Sequence, residues 1–131
     1  MITRRSILLI SAAFLTTPPA IALAVDDAVK RFDLDADGTL DLREVKKAAT
    51  DFFARLDPDH DGKLDKRELA GRLSARELAA ADPDHDGTLT LDEYLAVVEK
   101  RFNAANRDGD GTLDAKELQT PAGRALLRLL R

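Results

Sequence analysis

The 131-residue chain has no cysteine, no tryptophan and a single methionine, its first residue. Without cysteine there can be no disulfide, no thiolate zinc or iron–sulfur ligation and no thiol nucleophile. Aromatic residues make up only 5% of the chain, which points to a small core. There is no excess of basic charge: 20 Lys+Arg stand against 24 Asp+Glu, which argues against a nucleic-acid-binding face. The chain is nevertheless 44% hydrophobic, so it is not compositionally disordered. Its length suits one small domain.

Residues 1–24 read as an address rather than as part of the fold. Arg4 and Arg5 give a positive start, Ile7 to Leu15 is a short apolar run, and Ala22-Leu23-Ala24 offers small residues for cleavage after Ala24. The run is too short for a transmembrane helix, which needs about 20 apolar residues. This predicts a secretory signal peptide over 1–24, a mature domain over 25–131 and a periplasmic location, with no stable membrane association after cleavage. Thr3-Arg4-Arg5-Ser6 leaves Sec and twin-arginine export both open.

The acids are not spread evenly. Nineteen of the 24 fall in four windows of twelve residues, starting at Asp33, Asp57, Asp82 and Asn106. The windows read DLDADGTLDLRE, DPDHDGKLDKRE, DPDHDGTLTLDE and NRDGDGTLDAKE. Each matches the EF-hand loop pattern, and four copies at near-constant spacing are a far stronger signal than one.

The chemistry explains the pattern. A hard cation of about calcium size takes six or more oxygens at roughly 2.3–2.6 Å. Positions 1, 3 and 5 supply side-chain oxygens: Asp33, Asp35 and Asp37; Asp57, Asp59 and Asp61; Asp82, Asp84 and Asp86; Asn106, Asp108 and Asp110. Position 6 is Gly, where the chain turns sharply. Position 7 offers its carbonyl, so its side chain is free to vary: Thr39, Lys63, Thr88 and Thr112. Position 12 is Glu44, Glu68, Glu93 or Glu117, long enough to bind through both oxygens. Position 8 is always leucine and is expected to bridge paired loops. Position 9 is Asp41, Asp65, Thr90 and Asp114, a ligand directly or through water. Five carboxylates in loop 1 and five in loop 2 exceed what one divalent ion neutralises, which hints at a trivalent ion.

Spacing bears on architecture. The loops start 24, 25 and 24 residues apart, leaving about twelve between them. Leu42 to Leu56 and Leu91 to Ala105 each read as one helix, with apolar residues at helical spacing. A 15-residue helix is about 22 Å long and puts its two loops at opposite ends. Between loops 2 and 3, Gly71 weakens a helix and Ser74-Ala-Arg-Glu77 forms a capping box, predicting two short helices and a tight turn. The expected fold is all-α: four EF-hand loops joined by short helices in a compact bundle, paired 2/3 and 1/4. An apolar stripe of Ala125, Leu126, Leu129 and Leu130 is expected to cap the core.

These residues resemble the lanmodulin family, the exported lanthanide-binding EF-hand proteins of methylotrophic bacteria. The marks are the 24–25 residue steps, Asp-Pro-Asp opening loops 2 and 3, Asn106 opening loop 4, aspartate at position 9, Gly71-Arg-Leu-Ser74, Glu93-Tyr-Leu-Ala-Val-Val and the Pro121-Ala-Gly tail. The resemblance covers essentially all of 25–131. It implies preference for lanthanide(III) ions (the La, Ce and Nd class) over calcium, a three-helix-bundle-like core and the same loop pairing. Family ligand roles carry over to positions 1, 3, 5, 9 and 12 of loops 1 and 2, and to Asp82, Asp84, Asp86 and Glu93. Two departures stand out. The family favours proline at position 2, where this chain has Leu34 and Arg107, and Thr90 replaces an acid. With Asn106 removing a charge, loop 4 is expected to bind most weakly.

The function expected is therefore selective binding of rare earth ions with compaction on binding, for buffering, uptake or trafficking. The oligomeric state is expected to be a monomer or a metal-linked homodimer. A periplasmic calcium buffer or sensor is the alternative, with Ca2+ bound more weakly in the first reading. A sensor with a Met-rich groove does not fit a chain whose only methionine is the first residue. A dockerin-like adhesion module would have two repeats rather than four. No acid/base pair lies outside the loops, and no nucleophile–His pairing is visible, so no enzyme is expected. His60 and His85, at position 4, are read as solvated, Arg124 and Arg128 as an exposed basic face, and Phe52-Phe53 as core.

Overall fold

The computed structural model describes residues 20–131, with side chains from Val25 onward. Most of the expected leader, residues 1–19, lies outside the described residues. Six helices and four two-residue strands run in the order α1 (Ala20–Phe32), β1 (Leu40–Asp41), α2 (Leu42–Leu56), β2 (Lys63–Leu64), α3 (Ala75–Ala81), β3 (Leu89–Thr90), α4 (Leu91–Ala105), β4 (Thr112–Leu113), α5 (Ala115–Gln119) and α6 (Pro121–Leu127). The fold is all-α in class, with strands only where loops meet.

The helices arise from their apolar spacing. In α1, Val25, Ala28 and Val29 are buried while Asp26, Asp27, Lys30 and Arg31 face solvent. In α2, Val45, Ala48, Ala49, Phe52 and Phe53 are buried, and in α4 Tyr94, Val98, Phe102 and Ala105. These sets recur every three or four residues, which is one helix face. The two long helices pack together, with Phe53 and Tyr94 edge to face at 5.6 Å between ring centroids. Tyr94 donates its hydroxyl proton to the Leu129 carbonyl, so even the polar end of this ring is satisfied inside. Phe52 is covered differently: the Arg72 guanidinium lies 4.9 Å from its ring centroid, a cation–π cover on the edge of the core.

Each sheet is a pair of loop strands. β1 and β4 run antiparallel with Leu40 opposite Leu113, and β2 and β3 with Leu64 opposite Leu89. The four position-8 leucines have no exposed surface at all. They join α2, α4 and the C-terminal helices in one apolar cluster. α2 runs from the end of loop 1 to the start of loop 2, and α4 from the end of loop 3 to the start of loop 4.

The connection from loop 2 to loop 3 departs from expectation. Only one helix forms there, α3, capped by Ser74 and Glu77 as a reciprocal box. Residues 66–72 make hydrogen-bonded turns instead: Leu69 N–H reaches Asp65 O, but Ala70 and Arg72 donate only three residues back. Gly71 sits at φ +79°, which reverses the chain before a second turn can propagate. Arg101 braces this turn from α4. It donates to the Arg72 carbonyl at 3.1 Å, to Glu77 Oε1 at 3.0 Å and to the Ala125 carbonyl at 2.6 Å.

At the C-terminus, Thr120 caps α6 by accepting from Gly123 N–H, and Pro121 occupies the first turn, where its missing N–H costs nothing. Leu126, Leu127, Leu129 and Leu130 are buried, so the tail closes the core. Among the described residues no helix is long and apolar enough to cross a membrane. Gly123 is needed for contact rather than for a turn: a Cβ there would press into the Glu117 carbonyl oxygen and lie 2.5 Å from Leu118 Cα. Gly123→Ala is therefore expected to destabilise the protein by about 1–3 kcal/mol, the usual cost of overpacking. Denaturant unfolding of the two proteins checks this; equal midpoints would contradict it.

Candidate metal centres

Every loop begins with the same fold of the backbone. The position-6 N–H donates to the position-1 side chain: Gly38 to Asp33 at 2.8 Å, Gly62 to Asp57 at 2.9 Å and Gly87 to Asp82 at 2.7 Å. In loop 4 the Asn106 amide takes the same part, its oxygen accepting from Gly111 N–H at 3.2 Å and its nitrogen donating to Asp108 Oδ1 at 3.0 Å. The position-6 glycines have φ between +76° and +84°. Position 4 is left-handed too: Ala36 at +59°, His60 and His85 at +54°, Gly109 at +68°. The turn thus asks for two positive-φ residues, of which the sequence advertises only the second by glycine in all four loops. Both histidines are exposed, as are Arg124 and Arg128.

Position 9 lies outside the carboxylate clusters and has a structural part of its own. It acts as a cap at the point where the loop ends. Asp41 Oδ1 accepts from Glu44 N–H at 2.8 Å, while Glu44 Oε2 accepts from Asp41 N–H at 2.9 Å. The same reciprocal box links Asp65 with Glu68, Thr90 with Glu93 and Asp114 with Glu117. A helix N-terminus leaves N–H groups without partners, and a side-chain oxygen three residues back supplies one. This explains Thr90: a cap needs an oxygen, not a charge. It also fixes the position-12 glutamate, whose carboxylate is held over the loop. In loop 1 the other Glu44 oxygen accepts from Leu34 N–H at 2.8 Å, so the glutamate ties both ends of the loop together.

Each loop gathers a set of three acids with oxygens all within 4.8 Å of one another. The sets are Asp33, Asp35 and Glu44; Asp57, Asp59 and Asp61; Asp82, Asp84 and Glu93; and Asp108, Asp110 and Glu117. Asp37, Glu68 and Asp86, expected as ligands, stand beside these sets rather than in them. Glu68 differs from the other three glutamates in that no helix starts directly after loop 2, although its Oε2 accepts from Asp65 N–H at 2.8 Å as in the other boxes. Asp37 turns one oxygen back to Thr39 N–H and Oγ1, both at 2.9 Å, and Asp86 does the same toward Thr88. The position-7 threonines thus use their hydroxyls within their own loops, Thr112 reaching Asp110 at 3.2 Å.

Several of these oxygens are buried with nothing to bond. Asp82 Oδ1, Glu93 Oε2 and Glu117 Oε1 have no hydrogen-bond partner. Asp82 is 3% exposed and Glu117 8%. A buried carboxylate oxygen without a donor is costly, and a cation in the loop removes that cost. The acids perturb each other as crowding requires. The hydrogen bond to Asp33 pushes Asp35 up to about 6, and a Gly38 N–H holds Asp33 below the usual carboxylate range. Asp59 and Asp84 are raised by their hydrogen bonds to Asp57 and Asp82, and burial raises Glu117.

Helix–loop units that meet in pairs through short strands, each loop lined with acidic oxygens, define a class of cation-binding protein. Residues 25–48, 50–74 and 99–120 match the EF hand family, and the chain belongs to it. Those stretches take in loops 1, 2 and 4; loop 3 rests on its own residues and geometry. The family is a metal-binding, non-catalytic one. A search of curated proteins finds no match.

The capping role can be read from stability. Thr90→Ala is expected to cost about 1 kcal/mol through the lost cap, while Thr90→Asp keeps it; thermal unfolding that ranks them equally would refute the role. The crowding can be read from pH. Asp35 binds its proton more tightly folded than unfolded, so in the metal-free protein it adds stability below pH 3.8 that is lost as pH rises through about 6. Metal binding needs the deprotonated form, so loop-1 affinity should fall as pH drops from about 7 to about 5. Asp35→Asn should flatten that dependence in calorimetric titrations.

Proposed function

We propose that the protein is an exported binder of trivalent lanthanide ions that compacts on loading and serves lanthanide buffering, uptake or trafficking in the periplasm. The loops offer oxygen donors only, which suits hard cations, and their twelve-residue frame suits an ion of calcium radius. Charge is the observation that carries the choice between valences. Loops 1, 2 and 3 each hold five acids within twelve residues, and loop 4 holds four. A trivalent ion offsets more of that density than a divalent one, whether the fifth acid binds directly or acts from a cap position. The resemblance to lanmodulin supports the same reading, as do the paired arginines, apolar run and small residues of 1–24 for export.

Loading would couple to structure because the repulsion among the carboxylates opposes the closed loops. The reading takes the protein as a monomer or a metal-linked homodimer. A periplasmic calcium buffer is the alternative, supported by the same oxygen donors. Titrating residues 25–131 with La3+ in millimolar Ca2+ separates the two. A gain in far-UV helix signal at stoichiometric La3+ is expected, and no response under excess calcium would leave the calcium reading.

A further inference from the structure

Position 7 is threonine in loops 1, 3 and 4 and lysine in loop 2. The threonines bond back to their own position-5 acids. Lys63 does not. Its N–H still donates to Asp61 Oδ1 at 2.9 Å, holding the backbone in loop geometry. Its side chain leaves loop 2 and crosses the β2–β3 bridge, where Lys63 pairs with Thr90. There the ammonium meets Asp86 Oδ2 of loop 3 at 3.0 Å. The other Asp86 oxygen is taken by Thr88 N–H at 2.9 Å and Thr88 Oγ1 at 2.8 Å. Both oxygens of the loop-3 position-5 acid are therefore engaged, one by a cation from the neighbouring loop. Among the described residues no ion pair links loops 1 and 4 in this way.

We infer that Lys63 is a specificity-determining residue for loop 3: a tethered cation that competes with the incoming ion for Asp86 and makes loop 3 weaker than its carboxylates alone would make it. This rests on the reading that loops 2 and 3 take cations. The position also links the two loops. In the EF-hand pattern the Lys63 carbonyl serves loop 2, while its ammonium occupies an acid of loop 3. An ion in loop 2 fixes the backbone that carries the ammonium, and so keeps the competitor beside loop 3. Loop 2 then fills before loop 3, although both open with the same six residues, Asp-Pro-Asp-His-Asp-Gly.

The charge dependence is specific. Repulsion between a fixed ammonium and a bound ion scales with the ion's charge, so removing the ammonium helps a trivalent ion more than a divalent one. At surface screening, Lys63→Thr should tighten loop 3 about threefold for a trivalent ion and about twofold for Ca2+. The pair is partly exposed, with 46% and 32% side-chain exposure, so the fold does not depend on it.

The test uses Tb3+ and the single tyrosine, Tyr94, which comes directly after the last loop-3 residue in the chain and can sensitise terbium emission. Titrations of the protein carrying Asp59→Asn, which weakens loop 2, are compared with and without Lys63→Thr, Lys63→Met and Lys63→Arg. Thr and Met should shift the Tyr94-sensitised midpoint to lower Tb3+, and Arg should restore the original midpoint. Calcium titrations followed by circular dichroism should show the same order with a smaller shift. Unchanged midpoints in all variants, or a shift with Arg equal to that with Met, would overturn the role of the charge. Failure of the parent to bind Tb3+ in excess Ca2+ would count against lanthanide selectivity alone, because the calcium series still reads Lys63.

Discussion

Carboxylates confined within 4.8 Å of one another repel, and the rest of the molecule is arranged to hold them there. Three kinds of support do this. The position-6 N–H groups donate into position 1, backbone left-handed turns at positions 4 and 6 curl the chain, and the position-12 glutamate is pinned by the cap residue three positions earlier. The supports stop short of neutralising the charge. They leave Asp82, Glu93 and Glu117 each with a buried oxygen that no protein donor reaches. The raised Asp35, Asp59 and Asp84 carboxyls record the same crowding in protons. A proton and a metal cation are two answers to one electrostatic demand, so the two are expected to compete at these loops.

In the cap, one pair of residues meets two requirements. A helix must start somewhere, and its first N–H groups need acceptors. A loop must end on a long carboxylate pointing inward. The Asp/Thr-x-x-Glu spacing does both, so α2, α4 and α5 begin where their loops finish. Because α2 and α4 are each 15 residues long, they carry that placement rigidly to the next loop. Loop 2 is the exception that shows the dependence. Its box forms, but Gly71 ends the helical course within a few residues, and Glu68 stays outside the carboxylate set.

The loop boundaries, the position-6 turns, the two long helices, the Ser74 cap and the buried position-8 leucines were all legible from spacing and residue type. The rest depended on choices between equal chemistries. An aspartate at position 9 can ligate or cap, and spacing alone does not reveal the cap; the hint was Thr90, which can cap but brings no charge. The second helix expected after loop 2 failed because one glycine outweighed a short run of good helix formers. The left-handed position 4 was hidden because Ala36 and the two histidines adopt it without the glycine that usually announces it. Arg101 gave no signal at all, since its three acceptors come from parts of the chain far apart in sequence.

Arg101 and Lys63 together make the two loop pairs unequal. Loops 1 and 4 are tied by the β1–β4 bridge, with the buried leucines Leu40 and Leu113 opposite each other. Loops 2 and 3 are joined by a turn that Arg101 braces through the Arg72 carbonyl and Glu77, and by a lysine that crosses the strand bridge. The same guanidinium also reaches the Ala125 carbonyl in α6, the helix that packs on α4. One side chain thus links the 2/3 turn to the C-terminal helix, which abuts α5 at Gly123, and α5 starts from loop 4. The chain of contacts runs from one loop pair to the other through groups with fixed geometry. The two loop pairs are therefore joined by a continuous run of packed and hydrogen-bonded groups.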